Sequence, residues 1–268
     1  MREEWWATWL TVRHLGSWNG YLVDGRLEPF GRLRVLGVFR VHRDRQIVFV
    51  SATAARRVLA YLAVNGATGR DRIAADLWPD SDRCGAELRT GLWRLRQVCP
   101  GFLEDCDQVL ALAEGVSVDL DEVNAWADEA IAPSVFTSAN QSVSPPAGAG
   151  DELLPGWTDP WLDASRTRLR IWQIQAFEAV AGRLLAAGRT AEAVKYALHA
   201  SQSEPLRESA QCLMLEIHLR QGNVNEAVLH YDAYCARLRD ALGIAPGMRV
   251  TSLIAPYIPH QTSRRRTS

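Results

Sequence analysis

Gly188-Arg189-Thr190-Ala191-Glu192-Ala193-Val194 recurs further along the chain as Gly222-Asn223-Val224-Asn225-Glu226-Ala227-Val228. A period of about 34 residues, with Gly-x-x-x-Glu-Ala-Val at a turn, marks stacked helix pairs. Such repeats carry no chemistry of their own. They stack into a concave surface for another protein or for another copy of themselves.

Working outward from the repeat, the second half of the chain is tetratricopeptide-like and all-α. A long amphipathic helix is expected from about 161 to 187, then repeat helices over Thr190–Ser203, Leu206–Gln221 and Asn225–Leu242. Gly243 and Pro246-Gly247 are read as the end of the bundle. Upstream, a Ser/Pro/Gly-rich stretch over 133–150 has little to bury and reads as a flexible linker. The tail 259–268, with Arg264-Arg265-Arg266, reads as disordered.

The first half has a different order. Leu33 to Val41 reads as a strand, His42 to Arg45 as a turn, and Ile47-Val48-Phe49-Val50 as a second strand. Ser51 or Thr53 offers a cap for a helix that Asn65-Gly66 stops. A second helix covers Asp71 to Trp78, ended by Pro79, and a third runs from about Asp82 to Val98. Two short strands follow, joined at Asp105-Cys106-Asp107, and Asp119 can cap another helix. Two strands, three helices and a β-hairpin are the order of a winged helix, whose third helix enters the DNA major groove. The fold class is therefore mainly α with a small β component. Its expected parts are an extension over 1–28, a winged helix-turn-helix over 29–118 and the helical domain over 119–258. Trp5, Trp6, Trp9 and Trp18 mark the extension.

At about 100° per residue, Leu88, Leu92 and Leu95 share a narrow arc of the third helix and should face the core. Arg83, Ala86, Thr90, Trp93, Arg94 and Gln97 lie broadly opposite, flanked by Arg89 and Arg96. Arginine bonds guanine edges bidentately, and threonine can contact a base or a phosphate. Arg70 and Arg72 open the second helix, where free N–H groups add donors for phosphate. Trp78 suits packing beneath the helix turn, and its indole N–H can also reach a phosphate. The candidate DNA-binding residues are thus Arg70, Arg72, Trp78, Arg83, Arg89, Thr90, Trp93, Arg94 and Arg96.

The formal net charge of −1 hides a split. From Gly31 to Val98 there are 13 arginines and 6 acids, whereas Cys99 to Ile131 holds acids and no basic residue. A basic head is what phosphate contacts require. An acidic neck and wing fit a second reading, a protein-interaction scaffold or adaptor that does not bind DNA. An odd set of five cysteines without a Cys-x-x-Cys pair argues against disulfides or a metal site and for a reduced, cytoplasmic setting. No apolar run is long enough to cross a membrane. Gly66-Ala67-Thr68-Gly69-Arg70-Asp71 lacks the length and the lysine of a phosphate-binding loop, and no nucleophile–histidine pair stands out, so neither catalysis nor a cofactor is expected. Trp157, Trp161 and Trp172 could line a ligand site or pack in a core.

Asp71-Arg72-Ile73-Ala74-Ala75-Asp76-Leu77-Trp78-Pro79-Asp80, with Leu92-Trp93-Arg94-Leu95-Arg96, resembles the response-regulator-type winged helix. Glu152-Leu153-Leu154-Pro155-Gly156-Trp157, with Asp159 and Trp161, resembles the opening of the bacterial transcriptional activator domain. Glu204-Pro205-Leu206-Arg207-Glu208 and Leu242-Gly243-Ile244-Ala245-Pro246 resemble later phrases of that domain. In this order the two are similar to the Streptomyces antibiotic regulatory protein family in its short form. The resemblance implies a transcriptional activator of a secondary-metabolite (antibiotic) gene cluster that binds direct repeats in double-stranded DNA near promoters. It also implies RNA polymerase with its sigma factor as partner, and self-association, as in a homodimer, through the repeat helices. The wing departs from the family by lacking the arginine that many such wings insert into the minor groove.

Overall fold

A computed structural model describes residues 21–23, 26–132 and 144–258. The expectations for Trp5, Trp6, Trp9 and Trp18, for 133–143 and for the tail 259–268 lie outside the described residues. The chain divides into two compact units, one of residues 1–124 with 146–169 and one of residues 125–145 with 170–268. The fold is mainly helical with small sheets. No helix among the described residues is long and apolar enough to cross a membrane.

In the first unit a hairpin of β1 (Tyr21–Val23) and β2 (Arg26–Glu28) precedes β3 (Gly31–Arg34), β4 (Arg40–Arg43) and β5 (Gln46–Val48). The single strand expected over 33–41 is instead broken at Gly37, and its halves fold back as the antiparallel pair β3–β4. Helices α1 (Thr53–Asn65), α2 (Arg70–Leu77) and α3 (Cys84–Val98) follow, with the short β6 (Thr68–Gly69) ahead of α2. The wing is β7 (Leu103–Cys106) and β8 (Val109–Leu112), and β6 adds to β8. Then β9 (Val116–Val118) pairs parallel with β3, giving the sheet order β5-β4-β3-β9.

Immediately after β9 comes α4 (Asp119–Ile131). The Asp119 side chain, at the first residue of that helix, reaches back to the sheet. It is 2% exposed, and its carboxylate accepts the backbone N–H groups of Val35 (2.9 Å) and Leu36 (3.2 Å), where β3 ends. Burial pushes its carboxyl above the ordinary range, while those two bonds, the Arg34 charge and the Leu120 N–H oppose the shift.

Residues 146–169 read, from sequence, as part of the helical domain, the first of them as linker. By packing they group with the first unit. Ala149 is buried in a turn, Gly37 N–H donates to Glu152 O (2.9 Å), and Leu154 N–H donates to Val35 O (2.8 Å). Arg166, on α5 (Asp163–Ala186), caps three carbonyls of this segment, those of Leu153 (2.9 Å), Leu154 (2.6 Å) and Trp157 (2.9 Å). A forked guanidinium satisfies several acceptors at once.

The second unit contains the repeat helices α6 (Thr190–Ser203), α7 (Glu208–Arg220) and α8 (Val224–Leu242). Gly188 and Gly222 both sit at φ 76°, and each closes the helix before it in the same way. Arg189 N–H donates to Leu184 O, and Asn223 N–H donates to His218 O, each at 2.9 Å. A left-handed residue with this bond is the Schellman end, which glycine adopts without a Cβ clash. Ala193 and Ala227 are fully buried at matching points, while Glu192 and Glu226 are exposed. Small residues lie inside and acids outside in both copies.

Between α6 and α7, Arg207 makes a forked pair with Glu178 (2.9 Å to each oxygen). Gln211, buried, donates to Pro205 O (3.1 Å) and accepts from His230 Nε2 (2.7 Å). Past the expected end of the bundle stands a further helix, α9 (Met248–Ile254). Its Val250 and Ile254 join Cys212, Leu215, Tyr234 and Leu238 in the core.

Replacing Asp119 with Ala leaves two buried N–H groups without acceptors and should cost about 3 kcal/mol, read from urea unfolding; an unchanged midpoint would remove Asp119 from this role. Burial holds His230 down at about 4, with repulsion from His218 and Arg237 adding to it. The neutral imidazole of the fold therefore contributes stability that is present above pH 6.5, the unfolded value, and lost as pH falls towards 4. Melting temperature should drop across that window, and His230→Gln should flatten the drop.

Candidate nucleic-acid interface

Helix α3 is seated by one face. Leu88, Leu92 and Leu95 are buried, as their spacing predicts, and Gly91 lies between them. A Cβ built at Gly91 would stand 3.3 Å from the backbone and from the Cβ of Ala54 on α1. Glycine costs about 1 kcal/mol in a helix interior relative to alanine. Here it admits a close approach of two helices.

The opposite face is open. Arg83, Arg89, Thr90, Trp93, Arg94 and Arg96 are exposed, Trp93 to 64%. Arg83 sits at the N-cap position, just before the helix, and its backbone N–H donates to Ser81 Oγ (3.2 Å). The side chains of Arg83, Arg89 and Arg94 form no ion pair among the described residues. Thr90 donates its hydroxyl to Ala86 O (3.0 Å), so in this conformer it offers a partner only acceptor lone pairs.

The arginines assigned to phosphates are placed differently. Arg72 is 73% exposed and pairs with Asp76 one turn on (2.7 Å), which also accepts from Tyr61 Oη (2.7 Å). This pairing raises the Arg72 pKa further, and burial with the Asp76 bond pushes the Tyr61 phenol up to about 12. Arg70 and Arg96 both bond Asp105 on β7, the latter at 2.6 Å. Trp78 is half-buried at the end of α2, with the Arg57 guanidinium 5.4 Å from its ring centre. Arg57 itself bonds Asp159 (2.5 Å), which holds that stack in place.

The wing corrects the expected turn. Asp107 and Gln108, both at positive φ, make the two-residue turn, the geometry that matches strand twist in hairpins. Asp105 and Cys106 therefore belong to the strand. Sequence reasoning missed Asp105 as a neighbour of the helices because a tip residue and a strand residue point to different places. Nothing local announces the difference.

The three tryptophans considered for a ligand have separate partners. Trp157 lies tilted against Phe39 (ring centres 5.6 Å apart) and Trp161 against Tyr61 (5.0 Å), while Trp172 donates to Asp128 (2.7 Å). Among the described residues no group of three or more His, Cys, Asp or Glu could hold a metal ion.

A winged helix with an open arginine-bearing third helix, followed by tetratricopeptide-like helices, defines a transcription-regulator architecture. Residues 148–256 match the bacterial transcriptional activator domain. The regulatory protein AfsR of Streptomyces coelicolor is 30% identical over 235 residues, which are 82% of this chain and 23% of AfsR. The chain thus spans under a quarter of that relative's length. The solved structure titled Mycobacterium tuberculosis EmbR in complex with low affinity phosphopeptide is similar in fold, with a TM-score of 0.67 at 18% identity, over 85% of this chain and 65% of that one. The matched activator domain and the likeness to AfsR along most of the chain agree with the resemblance to the Streptomyces antibiotic regulatory protein family.

Gly91→Leu should force α3 away from α1 and destabilise the protein by about 2 kcal/mol. Chemical denaturation followed by circular dichroism checks this, and an unaltered midpoint would show that the contact has slack.

Proposed function

We infer that this chain is a sequence-specific DNA-binding activator that reads the major groove with α3. The observation that carries this reading is the open face of α3, where Arg83, Arg89 and Arg94 have no ionic partner among the described residues and Trp93 stands out beside them. Unpaired guanidinium groups on a rigid helix suit guanine edges, and an exposed indole adds apolar contact with a base or sugar. Arg70, Arg72 and Arg96 are assigned to phosphates, and Trp78 to the backbone side of the same surface. The winged helix over 29–118 is the DNA-binding module, and the helices of 119–258 are the partner-binding module.

The finer reading follows the family. The operator is a direct repeat in double-stranded DNA near a promoter of a secondary-metabolite gene cluster. The repeat helices engage RNA polymerase with its sigma factor, or a second copy in a homodimer. The protein works in the cytoplasm without a cofactor and catalyses no reaction. A scaffold that does not bind DNA is the second reading. It draws support from the ion pairs that occupy Arg70, Arg72 and Arg96, and from Leu229, Leu242, Ile244 and Met248, which are exposed in the second unit.

Arg94→Ala should lose about 1–3 kcal/mol of binding to promoter DNA and relax the sequence preference. Arg72→Ala should weaken all sequences alike and lower the salt slope by about one. Gel retardation of both variants beside the unaltered protein tests the assignment. Equal behaviour of all three would overturn it.

A further inference from the structure

Asp105 is the unusual charge of this surface. It projects from wing strand β7, and a single oxygen, Oδ2, receives Nη2 of Arg70 from the start of α2 and Nη2 of Arg96 from the last turn of α3. The carboxylate and Arg70 are each about a quarter exposed, while Arg96 is half exposed. Nε of Arg70 is buried and lacks a partner among the described residues. One acid thus bridges two of the cations that the DNA-binding reading assigns to phosphates. Arg89 and Arg94, assigned to bases or their surroundings, and Arg83 ahead of the same helix carry no such counter-charge among the described residues.

The geometry points to Asp105 as a resident competitor for phosphate, a residue that lowers the grip of the protein on DNA of any sequence. This rests on the DNA-binding reading. Sequence-independent affinity comes from cations that displace counterions from the duplex. An arginine already neutralised by a carboxylate brings less net charge to a phosphate and displaces fewer counterions, so its net gain is small. Asp105 withholds Arg70 and Arg96 in this way and leaves the unpaired arginines of α3 to carry binding. The opposite role is a brace that aims both guanidinium groups at the backbone, and removing a brace weakens binding.

The test uses the full chain. Asp105→Asn keeps the shape and removes the charge. Asp107→Asn, at the wing turn two residues on, makes the same change in net charge at a carboxylate with no ion pair among the described residues. Both are compared with the unaltered protein on a promoter fragment and on a scrambled duplex of equal length, across about 50 to 200 mM salt. Asp105→Asn should tighten binding to the scrambled duplex roughly tenfold at low salt and steepen the salt slope by about one to two. Asp107→Asn should leave the slope unchanged. Adding Arg96→Gln to Asp105→Asn should remove about half of the gain in slope, a readout that a general loosening of the wing does not produce. Melting curves verify that each variant is folded.

Weaker binding by Asp105→Asn would establish the brace instead. An unaltered slope, or the same gain from Asp107→Asn, would also overturn the proposal, and promoter binding by the unaltered protein would then leave the DNA-binding reading standing. Indifference of the unaltered protein to every duplex would sink both.

Discussion

The contact on which the first unit depends is the approach of α3 to α1 at Gly91. A helix presents a stable outer face only if its inner face is pinned, and three buried leucines with a glycine between them do that here. Leucines alone would hold the helix at an ordinary packing distance. Without a Cβ at position 91, α3 lies almost on the backbone of Ala54, so its rotation is restricted as well as its distance. The directions in which Arg89, Trp93 and Arg94 project follow from that seat.

A second constraint ties the ends of the winged-helix segment together. The parallel pairing of β3 with β9 returns the chain to the first sheet after the wing, and Asp119 secures the return by accepting two buried N–H groups. Residues 152–154 then run beside Val35–Gly37, locked by Arg166. The phrase that resembles the opening of the bacterial transcriptional activator domain is therefore built into the unit that carries the wing. Its sequence similarity and its packing assign it to different halves, because similarity follows chain order and packing follows hydrogen bonds.

Much of this was legible in the residues. The repeat was, because the letters that its two copies share, Gly-x-x-x-Glu-Ala-Val, act locally. The glycine takes the left-handed end, the alanine fits where helices meet, and the glutamate faces solvent. The core face of α3 was legible from helical spacing alone. What stayed hidden depends on long-range partners. Helix α9 follows Pro246-Gly247, a pair that reads as a stop, yet Glu208 accepts the Gly247 N–H from far away in sequence (3.0 Å) and a new helix starts there. The break at Gly37 rests on pairing with residues more than a hundred positions later. The sorting of arginines into paired and unpaired depends on the wing turn, where a shift from Asp105-Cys106-Asp107 to Asp107-Gln108 moves one carboxylate onto a strand within reach of two helices.

The central claim is that the open face of α3 meets DNA. The most direct measurement is the affinity of the unaltered protein for promoter fragments from its own gene neighbourhood, beside a scrambled duplex, over a range of salt concentrations. Preference for one fragment, with affinity falling steeply as salt rises, is the expected result. Equal and negligible retention of every duplex at low salt would contradict it and turn attention to the protein partners of the repeat helices.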